Sequence, residues 1–281
     1  MTASLPLQGF TVVTLAGNVP GPVAVDRLRR LGARVFKVEP PAGDPLLPIS
    51  TPWYEELREG QEVVRLDLKD PDGRTRLDAL LAEADLLVTS TRPGALRRLG
   101  LGWEELHARH PRLCQVAIFG YPGSERDRAG HDLTYQGSVG LLDPPALPRT
   151  LLADLACAEQ ATGAALALLL GRERGQGSGY AEVTLADAAE AMAAPLRHGL
   201  TAPGGVLGGG LPTYGLYAAR EGWVALAALE PHFAERLRTE LGVERVDAAA
   251  LEGAFRERTA HEWEAWARER DLPLEAVRES S

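Results

Sequence analysis

Lysine is almost missing from this chain of 281 residues: it occurs only as Lys37 and Lys69. Arginine carries nearly all the positive charge, a usage that points to a GC-rich genome. Lysine and arginine together number 30 against 39 acidic residues, for a formal net charge of −9 and an isoelectric point near 5.3. No basic surplus exists to neutralise phosphates, so a nucleic-acid partner is not expected. A few arginines on one wall still suffice for a local anionic ligand. Cysteine is scarce too. Cys114 and Cys157 lack the spacing of a metal site or a disulfide framework. Free thiols, no bound metal and a cytoplasmic location follow as expectations. No apolar run of about 18 residues stands out, which reads against a membrane-spanning helix. The opening MTASLPLQGFTVV lacks the basic-then-apolar order of a secretory signal.

What is present is ordinary globular composition, 45% apolar and 25% charged, on a length that suits one large domain or two smaller ones. The first half alternates. FTVVTLA (10–16), ARVFKVE (33–39), DLLVTS (85–90) and RLCQVAIFG (112–120) read as strands. Between them VAVDRLRRLG (23–32) and DPDGRTRLDALLAEA (70–84) have helical spacing, the second with an aspartate cap and a proline in its first turn. Residues 92–110 read as two short helices broken at Gly100–Gly102. This alternation predicts an α/β fold, a parallel sheet with helices on both faces, whose ligands bind at the carboxyl ends of the strands. Residues 152–174 predict a long, alanine-rich, buried helix with Asp154 at its start. TAPGGVLGGGLP (201–212) reads as a flexible linker. A hairpin over 213–229 and two amphipathic helices then suggest a small second domain over 201–281, after a large one over 1–200.

Each chemistry-bearing residue has a plain structural reading beside a functional one. LAGNVPGP (15–22) joins a strand to a helix start and offers amides to an anion, though it is not the GxGxxG pattern of dinucleotide sites. Asp154 reads first as an N-cap, and second as a carboxylate held where amides of the helix start, at Asp154 and Leu155, would stabilise an oxyanion. His131, in RAGHDLTYQG, reads first as a loop histidine. His107 and His110 read as solvated, and Glu230, before Pro231, as a helix-start residue.

Taken together, several stretches resemble the family of class III CoA-transferases and α-methylacyl-CoA racemases. They are PLQGFTVVTLAGNVPGPVAVDRLRRLGARVFKVEPP, LDLKDPDGR, TRPGALRRLGLGWEEL, AGHDLTY, the LLADL helix start and YGLYAAREGWVALAALEPHF. They run in family order over nearly the whole chain. The resemblance implies a Rossmann-like large domain and a small domain in an interlocked homodimer. It implies an acyl-CoA thioester as ligand, with no separate cofactor and no membrane partner. AGHD is the racemase signature, so the resemblance casts His131 and Asp154 as two bases on opposite faces of the α-carbon of a 2-methylacyl-CoA. Glu230, from the small domain, would orient the histidine. Ala16, Gly17, Asn18, Lys37 and Arg92 would hold the CoA moiety. The alternatives are a CoA-transferase with Asp154 as nucleophile, and a catalytically impaired binding dimer on the same fold.

The chain departs from the family pattern in four places. REGQEV (58–63) replaces a basic run, and Pro40 follows Glu39 where an arginine is usual. Lys37, Arg92 and the helix N-terminus after Gly21 are expected to compensate for that charge. LACAEQ (155–160) replaces a glycine-rich turn. The sequence stops at DLPLEAVRESS, which predicts a looser interlock.

Overall fold

The computed structural model describes residues 4–278, and these form two compact units, one up to Ala193 and one from Ala194 on. The boundary falls seven residues before the one the sequence suggests, between 200 and 201.

In the first unit β1 (Thr11–Thr14), α1 (Pro20–Arg30), β2 (Arg34–Glu39), α2 (Thr51–Arg58), β3 (Glu62–Arg65), α3 (Pro71–Ala82) and β4 (Leu86–Thr89) alternate strand and helix. There follow α4 (Pro93–Arg98), α5 (Trp103–Arg109), β5 (Cys114–Phe119), α6 (Asp132–Ser138), α7 (Leu152–Gly171), β6 (Tyr180–Thr184) and α8 (Leu185–Met192). The six strands are all parallel, in the order β3-β2-β1-β4-β5-β6. Every residue of β4 and β5 is buried. Continuous burial is what a central strand covered on both faces requires.

Local rules account for several boundaries. Pro20 and Pro22 open α1, where a missing N–H costs nothing. The Asp70 side chain accepts the Asp72 amide at 3.2 Å and caps α3. The short edge strand β3 escaped the sequence reading because half of it faces water. Its Glu62 pairs with Arg34 on β2 at 2.8 Å, so part of the REGQEV stretch is a charged sheet edge. Strand β6 and helices α2, α6 and α8 were also unforeseen.

Helix α7, with its continuation to Gln176, has the length and apolar composition of a membrane-crossing helix, contrary to the sequence reading. It packs on α1, α8, β5 and β6, and Ala153, Ala158, Ala161 and Ala165 are buried there. That is the place of a core helix, and alanine suits it because small side chains let backbones approach.

The second unit holds α9 (Ala194–Arg197), β7 (Tyr214–Ala218), β8 (Trp223–Ala227), α10 (Pro231–Leu241), α11 (Ala248–Phe255), α12 (Ala260–Glu269) and β9 (Leu274–Ala276). Its three strands are antiparallel in sequence order. Val224, Leu237, Leu251, Phe255 and Trp263 form its core. The Trp263 indole N–H donates to the Phe255 carbonyl at 2.9 Å, so its one polar atom is satisfied when buried. The stretch expected to be a flexible linker is a hydrogen-bonded coil instead. The Gly204 amide donates to Gly208 O at 2.8 Å, and Leu207 to Leu200 O at 2.9 Å. A Cβ on Gly208 would lie 1.9 Å from the Ala202 carbonyl oxygen, so this glycine serves close packing.

Candidate active site

Two helix starts meet at the carboxyl end of the large sheet. His131 is the residue that caps α6, and its backbone is bonded reciprocally with the Thr134 hydroxyl, at 3.0 Å from the His131 amide and 2.7 Å to its carbonyl. Leu151 occupies the corresponding position before α7. Asp154 is therefore the third residue of its helix and not the cap that the sequence suggested.

The cap of α7 comes from the other helix. Asp132 is buried, and its Oδ1 accepts the Asp154 amide at 3.0 Å. Its Oδ2 accepts from Gln136 Nε2 at 2.5 Å. The Leu155 amide is also taken, by Leu151 O at 2.9 Å. The two amides expected to stabilise an oxyanion thus already have acceptors. The reason is ordinary: the third amide of a helix seeks a capping acceptor and the fourth makes the first helical bond.

Asp154 itself is 8% exposed. Burial, and secondarily the carboxylate of Asp132, raise its pKa from 3.8 to about 7. The same surroundings push Cys157 up to about 12, chiefly by burial and next by Asp154. Its thiol stays protonated and is no nucleophile. Tyr135 is also pushed up to about 12 by burial.

A pocket of about 190 Å³ is lined by Gly17, Asn18, Arg92, His131, Tyr135 and Asp154 among others. An adjoining pocket of about 260 Å³ shares Gly17 and Asn18 and adds Ala16, Lys37, Glu39 and Asp44. Seven of the eight residues singled out from sequence therefore line these two pockets. Glu230 lies in the second unit, exposed, at the start of α10. The loop after β1 is pinned by close packing: a Cβ on Gly21 would lie 2.1 Å from Ala16 Cβ.

Charge is distributed differently from the expectation. Lys37 is 2% exposed and is paired with Glu39 at 2.7 Å and with Asp44. Its charge is spent on these two carboxylates, so it does not replace the cations missing from the sequence. Asp44 also accepts the amides of Asn18 and Leu46, each at 2.9 Å, which ties its loop to the end of β1. The Tyr54 hydroxyl donates to Glu39 at 2.8 Å, and burial with this carboxylate pushes Tyr54 up to about 12. Among the described residues Arg92 has no ion-pair partner and remains available on the pocket wall.

Sequence reasoning missed Arg126, Arg128, Ser90 and Tyr135, which share the first pocket. Arg126 bonds Glu182 at 2.6 Å, while its Nε is buried with no partner. Both arginines precede the AGHD stretch in the loop after β5, and that adjacency was the available signal. His107 and His110, expected to be solvated, are half-buried. His107 stacks on Trp103 with ring centroids 4.7 Å apart, and His110 lies 3.5 Å from Asp78.

A parallel sheet in this strand order, with a buried carboxyl group and an imidazole in a pocket at its carboxyl end, defines an α/β protein with the means for proton transfer or acyl chemistry. Residues 7–281 match the model of CoA-transferase family III, and the chain belongs to that enzymatic family. It is 33% identical to human alpha-methylacyl-CoA racemase over 261 aligned residues, 85% of this chain and 65% of that protein. It is 32% identical to succinyl-CoA–D-citramalate CoA-transferase of Chloroflexus aurantiacus over 192 aligned residues, 63% of this chain and 48% of that protein. The chain thus spans from about half to two thirds of the length of these curated relatives. A crystal structure of a hypothetical protein from Mycobacterium tuberculosis superposes with a TM-score of 0.85 at 26% identity, covering 98% of this chain and 84% of that one.

Proposed function

We propose that the protein is an acyl-CoA racemase or epimerase that moves a proton at the α-carbon of a 2-methylacyl-CoA thioester. One observation carries this reading. His131 and Asp154 line the same pocket, and Asp154 is held near neutrality by burial and by Asp132. A carboxyl group with a pKa of about 7 is both acid and base at neutral pH. Neutral imidazole takes the α-proton, the C–H electron pair moves onto the thioester oxygen, and protonated Asp154 delivers a proton to the opposite face. The reverse direction exchanges the roles. With the amides of Asp154 and Leu155 already bonded, side chains of the pocket wall, Asn18, Ser90 and Arg92 among them, are left as donors for the enolate oxygen. The proposal includes a homodimer in which Glu230 orients His131.

NMR of a 2-methylacyl-CoA in D2O tests it. Loss of the α-proton signal should require both His131 and Asp154, and exchange that survives His131→Ala together with Asp154→Asn refutes it. A second reading is a CoA-transferase with Asp154 as nucleophile, favoured by the 32% identity to the Chloroflexus enzyme. In that case His131→Ala leaves acyl transfer largely intact. Asp154 is a poor candidate nucleophile at neutral pH, since a pKa of about 7 leaves much of it protonated. The neutralised Lys37 favours a third reading, an impaired binding dimer, which predicts no binding of CoA or its thioesters at millimolar concentration.

A further inference from the structure

Tyr135 lines the pocket of His131 and Asp154 without bonding to either of them. It stands one turn after His131 on α6. An aromatic side chain on a helix leans back toward the helix start. The Tyr135 ring does so, and its hydroxyl reaches the backbone at Gly120 and Gly130, two further residues of the pocket wall. A Cβ on either glycine would lie 2.5 Å from that oxygen. The two glycines thus make the space that the hydroxyl fills. The ring packs on Tyr121 with centroids 5.0 Å apart, and the residue is 1% exposed.

The hydroxyl makes no hydrogen bond among the described residues, yet it is not sealed in, so the little of Tyr135 that stays open is its oxygen. A hydroxyl left without a partner in so buried a place calls for an explanation. The Asp154 carboxyl is in the same condition: buried, open to the pocket and without a hydrogen-bond donor. The two groups feel each other's charge but do not bond. A ligand atom therefore has room between a donor and an acid.

Burial, and next Tyr121 and Asp154, push the Tyr135 phenol up to about 12, so it keeps its proton at neutral pH. An enolate forming on a thioester needs a donor aimed at its oxygen. Asn18 and Ser90 are half-buried and Arg92 is exposed, so a substrate has to order them. Tyr135 is fixed beforehand by its packing, and a fixed donor costs no reorganisation as charge develops.

We propose that Tyr135 is a further catalytic residue, whose hydroxyl donates a hydrogen bond to the thioester oxygen as that oxygen becomes an enolate. This role rests on the proposed proton transfer and deepens it. As His131 takes the α-proton, the C–H electron pair moves onto the oxygen, and the Tyr135 bond to it strengthens without giving up the phenol proton. When Asp154 returns a proton to the α-carbon, the carbonyl re-forms and that bond weakens again.

Initial rates of α-proton exchange in 2-methylhexanoyl-CoA in D2O, over a range of thioester concentrations, test it. Tyr135→Phe removes an oxygen that bonds nothing in the protein, so its urea midpoint should match wild type. Its kcat should fall about 100-fold with KM kept within about twofold, the pattern of a contact made only in the transition state. Its pH–rate profile should drop without shifting, because Asp154 owes its raised pKa to burial and Asp132. Gly120→Ala is the second variant. Its methyl group displaces the hydroxyl, while the ring carbon that bears the hydroxyl lies 3.6 Å away, an ordinary contact. Gly120→Ala should therefore slow exchange as Tyr135→Phe does, and the double variant should be no slower than either one. If kcat of Tyr135→Phe falls by less than about threefold, or if KM rises and stability falls with it, the role of the hydroxyl is refuted while the racemase reading stands. If the wild-type protein exchanges no α-proton, both fall.

Discussion

Replacing Asp154 by asparagine should stabilise the protein at alkaline pH while removing its activity. Burial and Asp132 raise the Asp154 carboxyl from 3.8 to about 7 in the folded chain. Below pH 4 the group is protonated in both folded and unfolded chains, and it costs nothing. Between pH 4 and 7 the unfolded chain loses this proton while the folded chain keeps it, so stability falls as pH rises. Above pH 7 the folded chain holds a buried anion and the whole cost is present. A shift of about three units at about 1.4 kcal/mol each comes to about 4 kcal/mol. Asparagine is close in size and never ionises, and its amide N–H still reaches Asp132. The variant should gain about 2–4 kcal/mol over wild type at pH 8 and almost nothing at pH 4. Urea titrations at several pH values measure this, followed by the fluorescence of Trp53 and Trp103, the tryptophans of the first unit. A gain equal at pH 4 and pH 8, or a loss at pH 8, refutes the assignment of a raised carboxyl pKa.

Asp132→Asn removes the like charge beside Asp154, so the pH–rate limb belonging to Asp154 should move to lower pH. An unmoved limb leaves burial as the whole cause. Cys157 is buried with its thiol pushed up to about 12, so a disulfide reagent at pH 8 should label it only after denaturation. Rapid labelling of the native protein contradicts its packing. Trp263→Phe leaves the Phe255 carbonyl without its indole donor and should cost the second unit about 1–3 kcal/mol in denaturant titrations. Gly208→Ala drives a methyl group against the Ala202 carbonyl oxygen and should cost about 2–3 kcal/mol. A truly flexible linker would tolerate it.

How much of this was legible in the sequence depends on whether the signal is local. The alternation of β1, α1, β2, α3, β4 and β5 was readable because burial on two faces, or on one helical stripe, writes its period into neighbouring residues. The edge strands β3 and β6 carry a weak period: each leaves much of its length partly open to water. The glycines near 205–210 were misread for the opposite reason. Composition shows that side chains are missing and cannot show that a carbonyl oxygen occupies the space.

The site divides along the same line. His131 and Asp154 were found through short motifs, and each sits at a helix start that the chain nearby dictates. What sets the chemistry of Asp154 is not nearby in sequence. Asp132 lies 22 positions earlier, and only the meeting of two helix starts makes it both the acceptor for the Asp154 amide and the charge beside its carboxyl. That double duty has a consequence. Any change that frees the Asp154 amide for a substrate oxygen must displace Asp132, and that removes the like charge helping to keep Asp154 protonated. Donor and acid are therefore coupled in this pocket, and their coupling appears in a double-mutant cycle. If Asp132 serves both, Asp132→Asn and Asp154→Asn together should be less stable at pH 8 than the sum of the two single effects, because the second substitution finds the repulsion already gone. Additive effects would mean that burial alone governs Asp154 and that Asp132 is only a cap.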